Sequence, residues 1–159
     1  MTTYSDRQAN HTYPDFGGHP KGNASEYTLD VIADSTGALV LNGIASGAPF
    51  AIGDVLDRFH LCESFEVTDM QAVVVTAAGQ AMTVNVGFRY TDGIDDPLYP
   101  QADNFYFAAL ALNAAARTRM STAKLTKPFP KPAQLVLVAA GANLASPLEM
   151  QLIVRGVQR

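Results

Sequence analysis

Apolar and polar residues alternate with a period of two along much of this chain. The clearest run is residues 82–91, where Met82, Val84, Val86, Phe88 and Tyr90 face one way and Thr83, Asn85, Gly87, Arg89 and Thr91 the other. That period lets a pleated segment bury one face and leave the other in water. Residues 26–33 (EYTLDVIA) predict an earlier strand, closed by the turn Asp34-Ser35-Thr36-Gly37. Residues 38–44 predict a returning strand, after which Gly43, Gly47 and Pro49 mark an irregular crossing. Residues 55–63 (VLDRFHLCE) are mixed on both faces, and residues 65–76 (FEVTDMQAVVVT) carry a VVV run suited to a strand inside a sandwich.

The second half is less regular. Thr91-Asp92-Gly93 opens an acidic loop with two prolines, and an apolar block restarts at Asp103-Asn104. Alanine and leucine in FYFAALALNAAA favour a short helix capped by Asp103 or Asn104, while Phe105, Phe107, Ala109 and Ala111 also fit strand alternation. Residues 118–127 read as extended, and Pro128, Pro130 and Pro132 exclude helix or a central strand. Residues 134–140 and 148–157 read as a closing hairpin-like pair, joined by the turn-rich GANLASP.

About eight strands at near-regular spacing predict an all-β fold, a jelly-roll-like antiparallel β-sandwich with at most one short helix. The expected organisation is an extended N-terminal arm over residues 1–25 and one sandwich domain over 26–159. The arm is polar, with Tyr4, Tyr13 and Phe16 isolated among Asn, Asp, Gly, Pro and His. Such a segment buries too little apolar surface to order itself alone. It is expected to be disordered in isolation or to lie across a neighbour, the aromatics acting as anchors.

Composition narrows the function classes. The chain has 159 residues, enough for one domain with a real core. It is 48% hydrophobic and 16% charged, much of the apolar excess being alanine. No apolar run is long enough to cross a bilayer, and the first residues lack the basic start and apolar block of a secretory signal. The single cysteine, Cys62, excludes an internal disulfide and reads as a small, buried hydrophobe. A net charge of −4 argues against non-specific nucleic-acid binding. Arg117, Arg119, Lys124, Lys127 and Lys131 do concentrate positive charge late in the chain, as a solvated face or a contact for an acidic protein.

Residue chemistry offers no catalytic constellation. His11 and His19 sit in the arm and His60 on a strand, without the Cys or His spacing of a zinc site. Asp92, Asp95, Asp96 and Asp103 gather carboxylates, but DGIDDPLYPQAD lacks the alternating ligands of an EF-hand loop. A solvated acidic loop, or one facing a basic partner, is the better reading. No nucleophile elbow, P-loop or dinucleotide fingerprint follows a strand, and Cys62 has only Arg58 and His60 nearby to favour a thiolate. No enzyme activity, metal or cofactor is expected.

One resemblance gives direction. YSDRQAN, the arm containing GGHPKGN, the strand ending TVNVGFRYTDG, DNFYFAALALNAAARTRM and the closing LVLVAAGANLASPLEMQLIV resemble small structural proteins of tailed bacteriophages over about residues 25–157. The resemblance implies a capsid decoration or cement protein: a jelly-roll-like dimer or trimer on the outside of the phage head, bridging major capsid protein subunits, with no direct nucleic-acid or membrane contact. Under it, Tyr4, Tyr13 and Phe16 of the arm and Asp95, Asp96 and Tyr99 of the acidic loop are the expected contacts. Two other readings remain: a carbohydrate-binding or adhesion module, disfavoured by the absence of tryptophan, and a head-completion or tail component.

Overall fold

The computed structural model describes residues 3–5, 24–121 and 126–159. Among the described residues, eleven strands form two facing sheets and there is no helix. One sheet holds β1 (Thr3–Ser5), β5 (Val55–Leu61), β10 (Ala133–Ala140), β7 (Thr83–Tyr90) and β8 (Ala102–Ala111), in that spatial order. The other runs β4 (Ile44–Pro49), β3 (Ala38–Leu41), β2 (Ala24–Ala33), β11 (Leu148–Gln158), β6 (Phe65–Thr76) and β9 (Ala116–Arg119). Setting aside β1 and the β3–β4 hairpin leaves β5-β10-β7-β8 facing β2-β11-β6-β9. That is the strand order of a jelly roll, and every pairing within it is antiparallel.

Alternation explains most of it. Along β11, Leu148, Met150, Leu152, Val154 and Gly156 are buried, whereas Glu149, Gln151, Ile153, Arg155 and Val157 face outward. Inward residues of β7 and β10 meet those of β6 and β11 in one continuous core. Phe88 stands at the centre of an aromatic cluster at one end of this core. Tyr90, Tyr99, Phe105, Tyr106 and Phe129 surround it with ring centroids 4.9–6.3 Å away, mostly tilted or edge-on.

Three local readings change. Residues 104–116 are not a helix: pairing of β8 with β7 overrides the helix preference of alanine and leucine. The alternation was obscured because the register slips twice, between Val84 and Val86 and again between Val86 and Phe88. Gly87 sits at the second slip, where a β-carbon would overlap the Ala102 carbonyl, so only glycine allows β8 to cross so closely. Residues 38–44 are not one strand; Asn42-Gly43, with φ of 54° and 79°, turns the chain between β3 and β4. The last two strands do not pair as a hairpin either. β10 and β11 belong to opposite sheets, so GANLASP crosses between layers.

The described start of the arm does not lie free. Thr3–Ser5 pair in parallel with Val55, Leu56 and Asp57 of β5, covering what would otherwise be a sheet edge. Tyr13 and Phe16 lie outside the described residues, as do His11, His19, Lys124 and the side chain of Tyr4.

Candidate functional site

The most strongly organised surface feature is the β7–β8 connection, residues 91–101. Its aspartates act first on their own backbone. Asp92 Oδ1 accepts from the Ile94 amide at 2.9 Å, Asp95 Oδ1 from the Asp96 and Gln101 amides at 2.9 and 2.8 Å, and Asp96 Oδ1 from the Leu98 and Tyr99 amides at 2.8 and 3.0 Å. Short acidic side chains at these offsets replace the hydrogen bonds a loop backbone lacks. Lys131 ties the loop to the strand entry beside it. Its ammonium donates to both Asp92 oxygens at 3.0 and 2.7 Å and to the Ile94 carbonyl at 2.6 Å, and lies 4.6 Å from the Tyr90 ring centre. The Lys131 hydrogen bond, with the Ile94 amide, holds the Asp92 carboxyl below its ordinary value.

The inner end of the loop is anchored in the core. Tyr99 is only 7% exposed, and its ring stacks on Phe129 at 5.4 Å and 27°. The Tyr90 hydroxyl donates to the Tyr99 carbonyl. Burial pushes both phenols up to about 12, so they stay protonated and able to donate. Tyr99, expected to face a partner, therefore serves as the anchor of the loop.

With Tyr99 drawn in, the loop turns other side chains out. Leu98 is 82% exposed and Ile94 66%, flanked by exposed Asp95 and half-buried Asp96. The bracing hydrogen bonds fix the loop that carries this exposed apolar pair, and a surface fixed beforehand loses little ordering entropy in any docking event. Sequence reasoning found the carboxylates but passed over Ile94 and Leu98. The available signal was two aliphatic residues in a segment otherwise made of Asp, Pro, Gly and Tyr.

The remaining charges are spread out. Asp103 stands apart from the loop aspartates, because Arg89 holds it in a two-pronged pair at 2.7 and 2.8 Å. Nearby Asp57 is pushed above its ordinary value by burial, against the pull of Arg89 and His60. His60 is exposed and Cys62 half-buried. Arg117 and Arg119 project from exposed β9, and Lys127 is exposed near the loop end. Among the described residues no three His, Cys, Asp or Glu side chains are grouped to hold a metal ion. No helix among them is long and apolar enough to cross a membrane.

No family model matches the chain, and no curated protein matches it by sequence. Solved structures do match in shape. A chain in the capsid of Ralstonia phage GP4 superposes with a TM-score of 0.67 at 16% identity, covering 99% of both chains. One in the capsid asymmetric unit of cyanophage Pam1 gives 0.57 at 15% identity over 97% of this chain and 96% of that one. A third, in the acid-stable capsid of Helicobacter pylori bacteriophage KHP30, gives 0.50 at 16% identity over 86% and 92%. At these identities the likeness is one of fold, and it extends across the whole sandwich.

Proposed function

We propose that this chain is a structural protein of a phage virion, a decoration or cement protein that binds the outside of the head and reinforces the major capsid protein lattice. The observation that carries this reading is coverage. The Ralstonia phage GP4 match spans 99% of each chain, so the similar capsid component is a sandwich of this same size and not a piece of a larger subunit. A small sandwich with a pre-shaped contact loop suits a part added onto a shell. Ile94 and Leu98 enter apolar depressions of the shell, and Asp95 and Asp96 face basic residues around them. Tyr4, Tyr13 and Phe16 of the arm add contacts to neighbouring subunits. Each contact is modest, and repetition over a lattice supplies the avidity.

Counting copies per purified virion by quantitative mass spectrometry tests this reading. Hundreds of copies per particle are expected for a lattice cement. About a dozen or fewer would replace it with a connector or tail role, and none would remove the protein from the virion altogether.

A further inference from the structure

Each sheet ends in strands with no neighbour beyond them among the described residues, and these edges are not equally open. β4 is interrupted: Gly47 has a φ of 80°, and the Ser46 hydroxyl donates to the Ala48 carbonyl at 2.9 Å, tying up an edge acceptor locally. β8 slips register twice, and Ala109 sits at a φ of 49° with its amide donating to Asn85 Oδ1 at 2.8 Å. β1 has only three residues. β9 is the regular edge. Ala116–Arg119 pair with β6 without a slip, and all four residues are exposed.

The ladder fixes which way β9 turns its backbone. The Met120 amide donates to the Met70 carbonyl at 2.9 Å, and the pairing runs on in register through Thr118–Ala72 to Ala116–Val74. In an antiparallel pair, facing residues alternate between exchanging both hydrogen bonds and exchanging neither. Met120, Thr118 and Ala116 therefore bond β6, whereas Arg117 and Arg119 direct amide and carbonyl away from it, to the open edge. The same two residues carry the charge of the strand. Met120 is buried on the inner side, so alternation sets both arginine side chains on the outward face. Arg119 reaches Asp69 at 2.7 Å, yet its side chain stays 63% exposed. Arg117 lies across from Val73 and joins none of the ion pairs among the described residues.

We propose that the β9 edge accepts an extended acidic segment of a partner protein, added antiparallel as the next strand of the sheet. One residue of the segment exchanges both backbone hydrogen bonds with Arg117, and the residue two positions away does the same with Arg119. Facing residues share a side of the sheet, so these two partner residues also lie against the arginine side chains. Asp or Glu at both positions completes two cross-strand ion pairs, and the residue between them turns to the side of Thr118. Backbone bonding sets register and direction, and charge selects the sequence. A segment with Lys or Arg at the same positions sets like charges opposite each other and is rejected. The β9 edge belongs to the sheet opposite the β7–β8 loop, and the proposal does not rest on a virion role.

The test titrates the full, isotope-labelled chain with the peptide acetyl-TVDVDVT-amide and with its counterpart acetyl-TVKVKVT-amide, followed by amide NMR. The acidic peptide is expected to bind with a dissociation constant on the order of 1 mM. Near saturation it should slow solvent exchange of the Arg117 and Arg119 amides about tenfold, as newly bonded groups leave the solvent. The Thr118 amide, already bonded to β6, is protected with or without peptide. Arg117→Glu, checked for folding by circular dichroism, should weaken binding of the acidic peptide about tenfold or more. No shift up to about 10 mM peptide, equal binding of the lysine peptide, or shifts at Arg117 and Arg119 without amide protection would each overturn strand addition. Tighter binding of a single-stranded oligonucleotide than of the acidic peptide would overturn it as well.

Discussion

The β7–β8 loop and the open face of β2-β11-β6-β9 are built in opposite ways. In the loop, charge is spent on architecture: the aspartates bond the backbone, Lys131 braces it, and the exposed remainder is Ile94 and Leu98. On the sheet, the ladder supplies the architecture, and the outward charges Glu26, Arg155, Asp69 and Arg119 pair with one another across the strands. A loop has to use polar groups to hold its shape, whereas a sheet comes with its shape already bonded.

The largest test of that contrast removes the anchor of the loop. Tyr99→Ala should cost about 3–5 kcal/mol in urea unfolding, the range for deleting a buried aromatic. Amide exchange should accelerate first in residues 92–101 while β11 stays protected up to global unfolding. Equal acceleration in both places would mean the loop has no rigidity of its own. Next in size, Ile94→Asp with Leu98→Asp should leave stability within about 0.5 kcal/mol, since exposed side chains contribute little. Shell binding should nonetheless fall by about tenfold or more.

Smaller effects sharpen the difference. Lys131→Ala removes the brace on Asp92 and Ile94. It should lower the thermal midpoint slightly, as read by scanning calorimetry. The smallest effect is in acid. Asp92 and Asp69 sit below the ordinary 3.8 when folded. Their stabilisation is therefore complete above that value and is lost as pH falls through the lower folded values. Asp57, raised above 3.8, runs the other way: its charge costs stability at neutral pH, and the cost shrinks as pH falls through its raised value and is gone below 3.8. Asp57→Asn should thus raise the thermal midpoint at pH 7 and leave it unchanged near pH 3.

How much was legible follows from where periodicity survives. β6, β7 and β11 were readable because their neighbours left one face in the core and the other outside, and alternation records that directly. β8 was not, because its register slips twice against β7, and extra residues in a bulge break the period of two. The β3–β4 hairpin was missed although Asn42-Gly43 carried its signal, because a strand and a crossing absorbed the same glycines. At the loop, Asp95 and Asp96 were chosen for their charge, yet each also serves the backbone. Tyr99 was taken as a surface aromatic because nothing local distinguishes a ring turned into the core from one turned out. That depends on Phe129, thirty residues away and brought alongside only by the fold. The ion pairs Arg155–Glu26 and Arg119–Asp69 across neighbouring strands need the pairing register, which no local pattern contains.

The most direct test is co-sedimentation with empty, expanded shells of the parent phage prepared without this protein, comparing the wild-type chain with the folded Ile94→Asp/Leu98→Asp variant. The wild-type chain should bind saturably, at a fixed ratio to the major capsid protein, and the variant should need about tenfold more protein to reach half-saturation. Failure of the wild-type chain to bind, or equal binding by both, would contradict attachment to the head through the β7–β8 loop.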